Sequence, residues 1–520
     1  MATHGNWVPR RPNPDQQGIS GQQRAPEGRG RIGPLACGHA VAPINHCPAE
    51  LRINLGMADV TNKSGRVEGR GGGLVLQVEP RVCLHDVSTI IRVTGVDPHS
   101  PITLRADTYT DGGDKFSSHA HYISDEKGTV DVRNSESVGG SYKGVFPAGL
   151  LSTLKGVTNA RVRLYKEDPT TPWKVKVTAC EGHVTLQEEQ KVNVVSTMME
   201  RHLMGPGVTR VRVHHGKVRG YLFMPQGPGP FPGIIDIFGG FGGIRQYRAA
   251  IFASRGFASL ALPFFKYEDL PKTHEIFELD YFEEAVEFLL SQPRIIPDRC
   301  ALFSSSKGAE ISLTMAIHLE KVKAVFSVCG SVAPVSSTMT YRGKELWKGL
   351  QNGFEKFVTY DSKNQGIILV DKVMQEFFRD GNSFILPCET APDDTYFLFV
   401  AGEEDTTRTE YSVQAMAHRM KLHGRENQCR TIVYPGVGHV IEMPYNTFPE
   451  HSYNKVKLPG STKEEMVTSY WGGNAEGFCK AQEDLWQQAR SFFELHVRDQ
   501  SHWYQNFLEE SCRKEHEIKC

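Results

Sequence analysis

From about residue 206 onward the chain carries a series of continuous apolar runs, each short enough to be a strand. GIIDIFGG, FASLALPFF, CALF (Cys300 to Phe303), VKAVFSVCGS, TYFLFVAG and RTIVYPG follow one another, most of them separated by helical patterns. A strand that is apolar on both sides must have both faces covered. The series therefore calls for a mostly parallel sheet between two layers of helices, an α/β architecture. The helical patterns agree. Roughly His274 to Gln292 sets Phe277, Tyr281, Ala285 and Phe288 on one face, and a last helix around Glu476 to His496 carries Phe478, Leu485, Phe492 and Phe493. A hairpin-like VRVHHGKVRGYLFMP leads into the series.

Residues 78–205 follow a different pattern. In PITLRADTYT, Ile102, Leu104 and Ala106 alternate with Thr103, Arg105 and Asp107, and WKVKVTAC repeats the alternation with Val175, Val177 and Ala179. Many short alternating strands divided by turns predict a β-sandwich. The expected order is an extension over 1–75, rich in Gly, Pro, Gln and Arg and read as disordered, then the sandwich, the α/β part over 206–497, and a polar tail over 498–520.

Charge excludes some partners. Lys+Arg number 59 against 60 Asp+Glu in 520 residues, a formal net charge of -1, so nothing in bulk favours nucleic acid. No run approaches the ~18 apolar residues of a membrane span. The 11 cysteines are scattered from Cys37 to Cys520 with no CxxC pair, so no metal site and no disulfide framework is expected. That usage suits a reducing, cytoplasmic compartment. Arg10, Arg11, Arg24, Arg29 and Arg31 leave a mitochondrial transit peptide as the alternative, although Asp15, Glu27 and many Pro and Gly residues break any amphipathic helix there. The terminal Glu517-Ile518-Lys519-Cys520 is not a peroxisomal tripeptide. No oligomeric state follows from the pattern.

The segment FSSSKGAEI sits between the run CALF and a helical pattern from Lys307 to Leu319. This is the layout of a nucleophile elbow, G-x-S-x-G, with Ser306 as nucleophile, Gly308 as the second small residue and Ser304 where the first glycine usually stands. Small residues are needed there because the strand-to-helix turn packs tightly. Taken alone, the pentapeptide is equally an ordinary loop with a serine N-cap. In α/β-hydrolases the acid and the histidine follow the serine in that order, each after a sheet strand. TYFLFVAG is followed by Glu403-Glu404-Asp405, and the usual offset after the glycine selects Asp405 over Glu404. RTIVYPG is followed by Val437-Gly438-His439. By contrast, His418 and His423 fall on a polar helical stretch and His451 on a loop-like insertion. His439 would take the proton from Ser306 while Asp405 fixes its tautomer. The glycine-rich FGGFGG (Phe238 to Gly243) follows the strand GIIDI. An amide at Gly240 or Phe241, together with the Lys307 N–H, would form an oxyanion hole.

With these residues placed, the chain resembles the acyl-CoA thioesterase and bile acid-CoA:amino acid N-acyltransferase family. The likeness runs over roughly residues 80 to 497 and is carried by PITLRA, GGSYKGVFPAGLL, GPFPGIIDIFGG, YEDLPKT, YFEEAVEFLLS, SSSKGAE, YPGVGHVIEMPY and YWGG. It implies a β-sandwich followed by an α/β-hydrolase domain, a triad of Ser306, Asp405 and His439, and no cofactor. The implied substrate is a fatty acyl-CoA, cleaved to acid and CoA, or alternatively conjugated with glycine or taurine. Conjugating members typically carry cysteine as nucleophile, so Ser306 favours hydrolysis. Two departures, Ser304 and the run EEDTTRTE after Gly402, raise a third alternative, a silent acyl-CoA or lipid-binding protein.

Overall fold

The computed structural model describes residues 67–68, 73–158, 163–185, 192–273, 275–334, 337–349, 358–361, 366–369, 385–457 and 464–498. The expected extension over 1–75 and the tail over 498–520 lie almost wholly outside the described residues.

Two sheets make up the N-terminal part. The smaller joins Val67–Glu68, Val75–Glu79, Ile90–Thr94 and Val130–Asp131. The larger is centred on three long antiparallel strands, Trp173–Glu181, Pro101–Tyr109 and Lys115–Ile123, with Val194–His202 beside the first. Inward side chains from both sheets share one core: Leu76, Val78, Ile91 and Val93 from the smaller, Leu104, Val175, Val177 and Met199 from the larger. Period-two alternation built this sandwich, as the sequence pattern requires.

The second part is built on one eight-stranded sheet. Its strands are β1 (Thr209–His215), β2 (Val218–Met224), β3 (Phe231–Ile237), β4 (Ala258–Ala261), β5 (Ile295–Ser305), β6 (Val322–Val328), β7 (Tyr396–Gly402) and β8 (Cys429–Tyr434). They lie in the order β1-β2-β4-β3-β5-β6-β7-β8. β1 and β2 form an antiparallel hairpin, β2 meets β4 antiparallel, and from β4 to β8 every pairing is parallel. This is the strand order of an α/β-hydrolase.

Alternate residues of each central strand feed two separate cores. Ile234, Phe303, Phe326, Leu398 and Val400 face one side, with α1 (Tyr247–Ser254) and α5 (Ala475–Val497). Ile235, Leu302, Val325 and Phe399 face the other, with α2 (Leu279–Leu290), α3 (Lys307–His318) and α4 (Thr409–Leu422). Coverage on both faces explains why the strands read as unbroken apolar runs. On the first side Phe252 meets Phe257, Phe303, Trp486 and Phe493 within 6.2 Å ring to ring. Cutting such a buried ring to alanine typically costs about 3–5 kcal/mol.

Two local expectations are corrected. The helix expected from His274 starts only at Leu279. Ile276–Glu278 is instead a strand pairing in parallel with Thr338–Tyr341, exposed at Ile276 and buried at Phe277. The buried face of α2 is accordingly Tyr281, Phe282, Ala285, Val286, Leu289 and Leu290, not a stripe through Phe277 and Phe288. His451 lies on a strand, His451–Lys457, paired antiparallel with Glu464–Tyr470, and not in a loop. Among the described residues no helix is long and apolar enough to cross a membrane.

Candidate active site

Ser306 stands between the end of β5 and the start of α3 with φ 53° and ψ -120°. A side chain at positive φ is strained, and here the neighbours over-determine it. Its N–H donates to Val328 O at 2.9 Å. A methyl group on Gly308 would stand 2.4 Å from Phe238 O and 2.5 Å from Ile237 O, so only glycine lets the helix approach β3 this closely. Ser304 is fully buried within the strand, in register with Ser327, and its hydroxyl points at Phe326 O at 3.4 Å. The strained φ thus falls on Ser306 and not on the position that lacks the expected glycine.

Asp405 lies three residues beyond β7 and is 1% exposed, whereas Glu403 and Glu404 are exposed. Burial by itself would raise its carboxyl. The His439 ring and hydrogen bonds from Thr409 and the Thr407 amide outweigh that and hold it below the usual carboxylate range. Oδ1 accepts from Thr407 N at 2.7 Å and Thr407 Oγ1 at 2.8 Å, and Oδ2 accepts from Thr409 Oγ1.

His439 follows β8 on the loop through Val437 and Gly438. Its Nδ1 is 3.0 Å from Asp405 Oδ2 and its Nε2 is 3.0 Å from Ser306 Oγ. The three residues singled out in the sequence are brought into one hydrogen-bonded chain. With Nδ1–H directed at the carboxylate, Nε2 presents a lone pair to the hydroxyl, the geometry of a base beside a nucleophile.

The glycine-rich loop after β3 runs alongside. A methyl on Gly239 would lie 3.1 Å from Ser306 Cβ, and one on Gly240 would lie 3.7 Å from Lys307 Cβ. Lys307 is the first residue of α3, so its amide opens the helix N-terminus next to the serine. Its ammonium is buried against both Glu310 carboxylate oxygens at 2.8 Å, and burial holds its pKa below the usual value. Phe241 is partly exposed and packs edge-on against Trp471. Ser306, His439 and Asp405 thus form one chain of contacts, with Lys307 next to the serine, Gly240 near Lys307, and Phe241 against Trp471. Among the described residues no cluster of His, Cys, Asp or Glu could hold a metal ion.

Several supporting residues were not singled out in the sequence. Thr407 and Thr409 hold the acid. Arg248, on α1, ion-pairs with Asp236 at the end of β3 and donates from Nη1 to Ser305 Oγ at 2.6 Å, tying the glycine loop's strand to the elbow. The sandwich braces the loop beyond His439. Arg163 Nη2 donates to Glu442 at 2.5 Å, His85 Nε2 meets Asn446 Oδ1 at 2.9 Å, and Phe448 N–H donates to Ser152 O at 2.8 Å. The signals were a T-x-T following the acid and an arginine on the helix after the loop, both too common to stand out.

Comparison with known proteins matches two family descriptions: "Acyl-CoA thioester hydrolase/BAAT N-terminal region" over residues 86–215 and "BAAT / Acyl-CoA thioester hydrolase C terminal" over 277–499. The chain is 38% identical over 425 residues to acyl-coenzyme A thioesterase 1 of Homo sapiens, covering 82% of this chain and 96% of that one. It is 38% identical to the human mitochondrial acyl-coenzyme A thioesterase 2, covering 82% and 84%. It is also 36% identical to bile acid-CoA:amino acid N-acyltransferase of Mus musculus, covering 81% and 97%. With identities of this size across both parts, the chain belongs to the acyl-CoA thioester hydrolase and bile acid-CoA:amino acid N-acyltransferase family.

Proposed function

We propose that this protein is a serine-dependent thioesterase that hydrolyses fatty acyl-CoA to free fatty acid and CoA. The carrying observation is the chain of 3.0 Å contacts from Ser306 Oγ to His439 Nε2 and from His439 Nδ1 to Asp405, with Ser306 held at positive φ. In this reading Ser306 Oγ attacks the thioester carbonyl and its proton passes to His439 Nε2. The Lys307 amide and an amide at Gly240 or Phe241 stabilise the oxyanion, and one such donor is typically worth about 10²–10³ in rate. The carbon–sulfur bond breaks and the proton goes to the leaving thiolate of CoA. Water, deprotonated by His439, then attacks the Ser306 ester, and the collapse of that second intermediate returns the proton to Ser306 Oγ and frees the acid.

The serine itself supports hydrolysis over conjugation. Its acyl-enzyme is an oxygen ester that water resolves, whereas a cysteine acyl-enzyme is a thioester suited to aminolysis. Division into a sandwich over 78–205 and a catalytic part over 206–497 belongs to the same reading, with the sandwich bracing the loop after His439. The test is thiol release from an acyl-CoA series, with and without glycine or taurine. Free acid as product, lost in Ser306→Ala, is expected. An N-acyl product would replace hydrolysis by acyl transfer, and acyl-CoA binding without turnover would leave a silent binding protein.

A further inference from the structure

The turn Tyr470-Trp471-Gly472-Gly473 lies outside the relay of Ser306, His439 and Asp405, yet it touches both loops that carry the acid and the base. The Tyr470 carbonyl accepts the Thr406 hydroxyl at 2.7 Å, and the Trp471 carbonyl accepts the His439 N–H at 2.8 Å. Gly473 forms an antiparallel bridge with Val437. The fit is close. A methyl on Gly472 would stand 1.9 Å from Glu404 O, and one on Gly473 would stand 2.4 Å from Gly438 N. One turn thus braces the acid loop and the histidine loop together.

The Trp471 side chain completes the clamp. It is buried, and its ring lies nearly parallel to the His439 ring, with centroids 5.2 Å apart and planes 26° apart. Its Nε1–H donates to Ser452 Oγ at 3.0 Å, which fixes the indole's own orientation. Phe241, from the glycine-rich loop, packs edge-on against it at 5.9 Å. Aromatic rings paired at this separation attract one another, so the fixed indole holds the imidazole in its orientation. The other groups around His439 meet its ring nitrogens or its loop. Asp405 and the Thr407 hydroxyl meet Nδ1, and Ser306 Oγ meets Nε2. The Cys329 thiol, after β6, points to Gly438 O at 3.8 Å, and Glu410 on α4 is paired with Arg408.

We propose that Trp471 is a positioning residue that fixes the plane of the His439 ring. In that plane Nε2 faces Ser306 Oγ while Nδ1 faces Asp405, the alignment each proton transfer of the relay requires. The inference rests on the serine–histidine relay of the proposed function and is independent of the acyl-CoA substrate class.

The test reads His439 in two ways. One is the rate of Ser306 inactivation by an alkyl fluorophosphonate, which needs the aligned base whatever the natural substrate. The other is kcat and KM for thioester hydrolysis. Trp471→Leu keeps an apolar, water-excluding side chain without a π face. Fluorophosphonate inactivation should slow and kcat should fall, each roughly two- to tenfold, with KM nearly unchanged. Trp471→Phe keeps a ring and should retain most of both rates. Should the leucine variant fail to fold, Trp471→Met carries the same expectation. Wild-type inactivation rate and kcat in the leucine or methionine variant would overturn the inference alone. A wild type inert to the fluorophosphonate, or labelled equally in Ser306→Ala, would overturn the relay as well.

Discussion

The Thr407 hydroxyl lies 2.9 Å from His439 Nδ1, inside the hydrogen bond that joins base and acid. It donates to Asp405 Oδ1 at 2.8 Å, so it turns a lone pair toward the imidazole. The Nδ1–H is therefore shared between two acceptors, Asp405 Oδ2 and Thr407 Oγ1, and both hold the proton on Nδ1. This is how the run EEDTTRTE supports its acid: hydroxyls from Thr407 and Thr409 surround a carboxylate that is almost entirely buried.

Thr407→Val should consequently lower kcat about three- to tenfold, the loss of roughly 1 kcal/mol of hydrogen bonding, while KM stays near its wild-type value. Thr407→Ser should restore most of the rate, because the hydroxyl returns without the methyl. Steady-state thiol release measures both. A valine variant with undiminished kcat would show that Asp405 alone orients the ring.

Glycines at the elbow should separate sharply by position. In Gly308→Ala the new methyl would overlap two backbone carbonyls of the β3 end, Phe238 O and Ile237 O, and neither can move without dislodging the sheet. Gly240→Ala meets only Lys307 Cβ at 3.7 Å, an ordinary contact, and leaves the amide in place. Overpacking of the first kind typically costs about 1–3 kcal/mol. Urea unfolding should place Gly308→Ala well below wild type with activity lost. Gly240→Ala should unfold with wild type and keep activity within a few-fold.

The contrast between what could and could not be read from the chain has a physical pattern. The central strands, their helices, and the order Ser306, Asp405, His439 were legible because apolar period and chain order are local signals. The start of α2 was not, because Phe277 continues the helical spacing of Tyr281 and Ala285 while its backbone is taken by pairing with Met339. His451 was misplaced for the same reason: its strand exists through its partner, Glu464–Tyr470. Trp471 falls within YWGG, but its contact with His439 spans the strand pair His451–Lys457 and Glu464–Tyr470 and leaves no trace in spacing. The elbow tolerated Ser304 because the strain sits on Ser306, a distinction only backbone angles reveal.

Acid should weaken the protein through His85. Its ring is buried, with Nε2 at Asn446 Oδ1 and its edge against Trp173. Burial first, and the nearby Arg201 guanidinium second, push the imidazole down to about 3. In the unfolded chain a histidine titrates near ~6.5, so between those values the unfolded state takes up a proton that the folded state refuses. Stability is whole above pH ~6.5 and falls as pH drops through that window, by at most about 1.4 kcal/mol per pH unit from this group. Urea midpoints measured from pH 7 to pH 4 should fall more steeply for wild type than for His85→Gln. Parallel curves would exclude His85 as the source.

The buried pair of Arg248 and Asp236 should separate stability from activity. Both side chains are almost fully enclosed, and Arg248 also donates to Ser305, the residue before the candidate nucleophile. Arg248→Met removes the cation and strands a buried carboxylate, which typically costs about 3–5 kcal/mol. Adding Asp236→Leu removes the stranded charge, and apolar replacement of a whole buried pair is often neutral in stability. The double variant should therefore unfold in urea near wild type. The bond to Ser305 Oγ is absent in both variants, so the elbow loses its brace and kcat should stay reduced in the double variant despite its recovered stability. A double variant with full kcat would show that the pair serves the fold alone, and a single variant as stable as wild type would show that water reaches Asp236.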